Sequence, residues 1–130
     1  MIRIEHIAIW THDLERLRRF YETYFEGRAN TKYVNPRKHF ASYFLTFADG
    51  ARLELMQRPD IPLSNNDVEQ QFTGYIHLAF AVGSREAVAA LTDRLQHDGY
   101  RILDGPRTTG DGYYESSVLD PDGNRLEITV

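Results

Sequence analysis

The chain has 130 residues and a formal net charge of −4, which is the usual size of one compact domain, and its 42% apolar content suffices for a buried core. The acidic balance disfavours nucleic acid and membrane surfaces as partners. The absence of cysteine excludes a disulfide framework, a thiolate metal site and a cysteine nucleophile. Because neither a leader-like segment nor a long apolar run is found, we expect a cytoplasmic protein.

The first part of the chain predicts a strand, a helix and further strands. After an alternating strand, apolar residues recur at three- and four-residue steps along an amphipathic helix that ends near Gly27. Thr11 and Asp13 are both candidates for its N-cap. A short strand is expected near 28–34, followed by strands at 39–47 and 51–57. Together they form a βαβββ module over about 1–59.

The second part of the chain predicts the same order of elements. A polar segment, which we expect to be an exposed linker, leads into a second module over about 73–130. Its helix is capped by Ser84 and closed by Gly99. Strands are expected near 100–103, at 113–119 and at 125–130.

An internal repeat underlies this similarity. The segment 6–9 (HIAI) resembles 77–80 (HLAF), and the segment 49–55 (DGARLEL) resembles 122–128 (DGNRLEI). Two matches at nearly one offset indicate two homologous modules. The prediction is therefore an α+β chain, one domain over 1–130, built from two tandem βαβββ modules.

The final hairpin of each module determines which side chains share a face. The turn at 120–124 (DPDGN) favours pairing of Asp120 with Asn124, and the equivalent pairing in the first module is Phe47 with Ala51. Because side chains alternate along a strand, the apolar residues then face the helix. Glu54 and Glu127 lie on the opposite face in this register.

Four residues are candidates for a metal site. A single histidine on a strand is more often structural than a ligand, and a single glutamate on a polar face is more often solvated. The repeat changes this assessment, because each module supplies one histidine and one glutamate at equivalent positions. These four side chains suit one divalent ion, namely Zn, Ni, Co, Mn or Fe: His6, Glu54, His77 and Glu127.

The chain resembles the glyoxalase and bleomycin-resistance family of the vicinal oxygen chelate superfamily over almost its whole length. The segments that carry the resemblance are 6–9 (HIAI), 20–21 (FY), 52–55 (RLEL), 74–79 (GYIHLA) and 120–127 (DPDGNRLE). The resemblance implies paired modules whose curved mixed sheets enclose a metal, often across a homodimer interface. It also implies that the four candidate residues are the metal ligands of a glyoxalase I.

The full ligand set favours an enzyme of the glyoxalase I (lactoylglutathione lyase) type. The resemblance implies a small substrate such as a 2-oxoaldehyde–thiol hemithioacetal, isomerised through a metal-bound enediolate, with Glu127 as base and Glu54 as its partner. Two departures disfavour glutathione itself as the thiol. Glu26 is inserted before Gly27, and the asparagine expected after the segment 52–55 is missing.

Two other functions remain open, along with three candidate substrate contacts. The same scaffold serves thiol transferases, epimerases and dioxygenases, although transferases and dioxygenases generally use three protein ligands. A metal-free drug-binding module of the bleomycin-resistance type is the third hypothesis. Phe44 and Tyr113 are candidates to line a substrate cleft. Arg107, in the loop 104–112, is a candidate to bind an anionic substrate group, although a solvated turn arginine is the commoner case.

Overall fold

A computed structural model describes all residues 1–130 and contains two helices and nine strands. The chain forms two compact units, Met1–Ser64 and Asn65–Val130. Each unit consists of one mixed sheet with one helix packed against it, which confirms the predicted α+β class. Neither helix is long and apolar enough to cross a membrane.

The first unit contains one sheet, in which the first strand of the unit lies parallel to the last strand of the same unit. The strand order is β1-β5-β4-β2, with β3 also paired to β4. Its elements are β1 (His6–Trp10), α1 (Leu14–Phe25), β2 (Arg28–Ala29), β3 (Tyr33–Asn35), β4 (Phe40–Thr46) and β5 (Arg52–Gln57).

Helix α1 begins at one of the two predicted N-caps and ends close to the predicted Gly27. Asp13 is the N-cap and accepts a hydrogen bond from the backbone N–H of Arg16 at 3.1 Å, whereas Thr11 accepts from the N–H of Asp13. Glu26 closes the helix in the left-handed conformation, with φ 58°. The helix buries one apolar face against the sheet, where β4 and β5 contribute fully buried leucines: Leu45, Leu53 and Leu55.

The single strand predicted near 28–34 is wrong, because the chain forms two short strands there. Ala29 pairs with Leu45 but Tyr33 pairs with Ser42. The segment that carries β2 and β3 therefore has one residue more than β4 opposite it, and this extra residue forms a bulge. Asn30 accounts for the break, since its side-chain oxygen accepts the N–H of Phe44 at 2.9 Å. The side chain of Asn30 thus takes the place of one backbone acceptor between the two strands.

The second unit repeats the arrangement with four strands, in the order β6-β9-β8-β7, and β6 is parallel to β9. Ser84 caps the helix by accepting the N–H of Ala87 at 3.1 Å, as predicted. The elements are β6 (His77–Ala81), α2 (Arg85–His97), β7 (Ile102–Thr108), β8 (Tyr114–Leu119) and β9 (Arg125–Thr129).

Strand β7 differs from the prediction, which ended it at 103 and made 104–112 a loop. The strand continues to Thr108 through two register shifts against β8. Arg107 therefore lies on a strand, paired with Glu115, rather than in a loop. Conversely, Tyr113 was predicted on a strand but lies just before β8, in a turn closed by hydrogen bonds to Thr109.

Both hairpin registers are confirmed. The backbone N–H of Asp120 donates to Asn124 O at 2.9 Å, and Leu45 pairs with Leu53 as the register in the first module requires. Val118, Leu126 and Ile128 are fully buried on the helix side. The strands thus present their other face, which carries the candidate ligands, away from each unit's core.

Candidate metal centre

In each unit a histidine and a glutamate come together because the first and last strands are parallel neighbours. In the first unit Ala8 pairs with Glu54, which brings His6 Nε2 to 3.8 Å from Glu54 Oε1. In the second unit Ala79 pairs with Glu127 in the same register, and His77 Nε2 lies 2.5 Å from Glu127 Oε1. The sequence repeat therefore reproduces the same strand register in both units, and with it one histidine–glutamate contact in each.

The four side chains are accessible to different degrees. The glutamates are the more enclosed, with side-chain exposures of 16% for Glu54 and 17% for Glu127, against 42% for His6 and 38% for His77. Both glutamates lie opposite the apolar core, as the hairpin registers predicted. Within each unit the candidate ligands form a pair, and the structure contains no group of three or more His, Asp or Glu side chains that could hold a metal ion.

Each pair offers donor atoms that suit a divalent metal, but the two pairs differ in their spacing. With metal–ligand bonds of about 2.1 Å, neighbouring donor atoms lie roughly 3 to 3.5 Å apart. The first pair, at 3.8 Å, is already close to that separation, whereas the second, at 2.5 Å, is a hydrogen bond that must open. Imidazole nitrogen and carboxylate oxygen are ligands that suit the divalent metals named above.

His6 lies in a closed ring of four contacting side chains. Its Nδ1 is 2.5 Å from Glu5 Oε2, and the other oxygen of Glu5 accepts a hydrogen bond from Arg52. The Arg52 guanidinium lies 4.1 Å from the centroid of the Phe44 ring, and the Phe44 ring meets the His6 ring edge-on at 5.4 Å. The hydrogen bond with His6, followed by the contact with Arg52, lowers the pKa of Glu5.

The second unit has a different feature beside its histidine–glutamate pair. Glu115 lies on β8, on the same face as Glu127 of the neighbouring strand β9, where its protonated carboxyl group can donate a hydrogen bond to the Glu127 carboxylate. This bond, with burial and the repulsion between the two carboxylates, raises the pKa of Glu115 to about 7 from its ordinary value of 4.5. A carboxyl group that titrates near neutral pH thus lies beside a proposed ligand.

The three predicted substrate contacts have different surroundings. Phe44 lies beside the first histidine–glutamate pair, because it pairs directly with Glu54 across β4 and β5. Tyr113 is 58% exposed. Arg107 donates to Asp104 Oδ2 at 2.5 Å, an ion pair that lowers the pKa of Asp104 and raises that of Arg107.

Sequence reasoning assigned no role to Glu5, Arg52 or Glu115. Glu5 precedes β1, so strand alternation does not separate its side chain from that of His6. The signal for Glu115 was present, because the hairpin register already placed it on the face of Glu127. It takes the position that Ser42 holds in the first unit, since Glu115 pairs with Thr129 and Ser42 with Met56.

The chain is similar to known proteins along its full length. It is 28% identical over 130 residues to the uncharacterized protein YqjT of Bacillus subtilis (strain 168), covering 98% of each chain. The crystal structure of SMU.1112c matches with a TM-score of 0.83 at 23% identity, covering 100% of this chain and 99% of the other. The trypanothione-dependent glyoxalase I of Leishmania major matches with a TM-score of 0.78 at 23% identity, covering 99% and 86%.

The model of one protein family matches nearly the whole chain. It spans residues 3–128 and describes the glyoxalase/bleomycin resistance protein/dioxygenase superfamily. The match includes all four candidate ligands and both units. The structural neighbours, at these identities, show the same fold, and they include a glyoxalase I. The chain belongs to the glyoxalase/bleomycin resistance protein/dioxygenase superfamily.

Proposed function

We propose that the chain is a divalent-metal-dependent enzyme of the glyoxalase I type, which isomerises a small oxygen-chelating substrate such as a 2-oxoaldehyde–thiol hemithioacetal. The observation that carries the proposal is the histidine–glutamate pair that recurs in the same strand register in both units. We propose that the chain acts as one domain, with modules over about 1–59 and 73–130, and that these four residues hold one ion: His6, Glu54, His77 and Glu127.

The reaction requires one carboxylate to move a proton between two adjacent carbons. A divalent metal would polarise the two neighbouring oxygens of the substrate. We assign the base to Glu127, which takes the proton from the thiol-bearing carbon and returns it to the former carbonyl carbon. The hydroxyl proton passes between the two oxygens, so the product is an isomer. Glu54, at the equivalent register, is the partner carboxylate.

Three side chains are proposed to contact the rest of the substrate. The ring of Phe44 contacts a candidate ligand directly, since it meets the imidazole of His6 edge-on. Tyr113 offers an exposed aromatic surface. Arg107 is proposed to bind an anionic group, for which its contact with Asp104 must first open.

Metal analysis tests the proposed site. Protein purified without a histidine tag is expected to contain one equivalent of divalent metal, and His77→Ala is expected to lose most of it, because one of four ligands is removed. His97→Ala is the matched control, since His97 lies at the end of α2 and belongs to neither pair. Stoichiometric metal in His77→Ala would contradict the ligand assignment, and no metal in the wild type would favour a metal-free binding module.

Turnover tests the reaction separately. An adduct of methylglyoxal with glutathione or with another thiol is expected to be isomerised by protein loaded with Ni or Zn. Glu127→Gln is expected to lose at least about 100-fold in kcat, the usual contribution of a general base. Metal-loaded protein that isomerises none of these adducts would reject this substrate class and leave another metal-dependent reaction of the superfamily.

A further inference from the structure

We propose that Glu5 is a positioning residue for the metal ligand His6: its carboxylate holds the Nδ1 proton, so that Nε2 presents its lone pair for metal binding. The assignment rests on the ring of contacts through Glu5, His6, Phe44 and Arg52. Its consequence for metal affinity rests on the proposed function, whereas the state of the imidazole does not.

The acceptor chemistry of Glu5 determines the tautomer. An ionised carboxylate has no hydrogen to donate, so the 2.5 Å contact with His6 Nδ1 requires the proton to be on that nitrogen. In the neutral imidazole the other nitrogen is then an acceptor. Nε2 faces Glu54 Oε1 at 3.8 Å, too far for a hydrogen bond, so its lone pair is available to a cation.

The carboxylate of Glu5 is held from both sides, which separates it from an ordinary surface contact. Its backbone oxygen accepts the N–H of Arg52 at 2.9 Å, and its side chain forms an ion pair with the Arg52 guanidinium. Arg52 is itself stacked on Phe44, whose ring restrains that of His6. Each side chain therefore limits the freedom of the next, and the imidazole is oriented before a metal arrives.

The second unit has no equivalent of Glu5. Ile76 precedes His77 where Glu5 precedes His6, and the side chain of isoleucine cannot accept a hydrogen bond. The 2.5 Å contact of His77 Nε2 with the carboxylate of Glu127 instead occupies the nitrogen that would bind metal. The two histidines are consequently prepared differently. His6 is ready to bind, whereas His77 must first give up a hydrogen bond.

Nitrogen-15 NMR of the metal-free, full-length protein tests the tautomer directly. At about pH 8, where an ordinary histidine is neutral, His6 is expected to show a protonated Nδ1 and an unprotonated Nε2, with its signals assigned through His6→Gln. Glu5→Gln is expected to lose this preference, because a neutral amide is a weaker acceptor and can donate. Glu69→Gln is the matched control, since Glu69 also forms an exposed pair with an arginine, Arg101.

Zinc affinity, measured by competition with a chromophoric chelator, tests the consequence. Glu5→Gln is expected to bind Zn²⁺ about 10- to 100-fold more weakly, as for other partners of metal-ligating histidines, with Glu69→Gln unchanged. A wild-type His6 protonated on Nε2, or a Glu5→Gln variant with unaltered tautomer and affinity, would overturn the inference. A wild type that binds no Zn²⁺ would remove the proposed function, and the NMR result alone would then decide the role of Glu5.

Discussion

At the scale of single residues, the two histidine–glutamate pairs are alike in register and unlike in surroundings. Glu5 contacts the histidine of the first pair, whereas Glu115 contacts the glutamate of the second. A carboxylate beside a histidine favours a defined tautomer, while a carboxyl beside a carboxylate favours retention of a proton. The internal repeat has therefore kept the candidate ligands and changed the groups that act on them.

The Glu115–Glu127 contact predicts a pH-dependent stability in chelator-treated protein. Folding raises the pKa of Glu115 from 4.5 to about 7, so the folded state holds this proton more tightly than the unfolded state. The resulting stabilisation is complete below about pH 4.5 and is lost as the pH rises to about 7.

Glu115→Gln removes this titration and keeps a donor for Glu127. Urea unfolding of both proteins between pH 4 and 8 is expected to show a steeper loss of stability with rising pH in the wild type. Parallel pH profiles would show that the two carboxyl groups do not share a proton in the folded state.

At the scale of elements, strand β7 shows how a close backbone approach shapes the site. Gly105 has φ 78°, and a Cβ at this position would lie 2.6 Å from the backbone oxygen of Glu115. Only glycine allows this approach without a shift of one strand. The contact holds the segment carrying Arg107 against β8, the strand that carries Glu115.

Gly105→Ala is therefore expected to destabilise the protein by at least about 2 kcal/mol, from the left-handed backbone and the clash together. Gly110→Ala is the matched control, because Gly110 has no atom near its would-be Cβ and does not require a positive φ. Its effect is expected to stay within about 0.5 kcal/mol. Equal urea midpoints for the two variants would show that β7 does not depend on this contact.

At the scale of the whole molecule, we expect a homodimer, as the family resemblance implies. Strand β1 lies at the edge of its sheet, and its Ile7 and Trp10 are exposed large apolar side chains. Exposed apolar edge strands favour association with a second chain. Sedimentation velocity over a range of concentrations is expected to give a two-chain species, and Ile7→Lys is expected to shift it towards monomer. A wild type that sediments as a monomer throughout would contradict this prediction.

The sequence alone determined the repeat, both hairpin registers and the helix cap at Ser84, and it limited the cap of the first helix to Thr11 or Asp13. These features follow from turn chemistry, capping and the two-residue period of strands, all of which act over a few residues. They sufficed to place Glu54 and Glu127 on the face opposite the core. The resemblance to the family rests partly on the same repeated segments.

Only the tertiary structure decided which groups act on the candidate ligands. The contact of Glu5 with Arg52 joins residues that are 47 positions apart, so no local pattern predicts it. The hairpin register placed Glu115 on the face of Glu127, but it did not predict that the two carboxyl groups interact. The division of the strand predicted near 28–34 and the length of β7 were decided in the same way, by a side chain of Asn30 and by the backbone approach at Gly105. The physical reason is that local preferences specify caps, turns and hairpin registers, while contacts between strands specify where some strands end and how side chains are oriented and protonated.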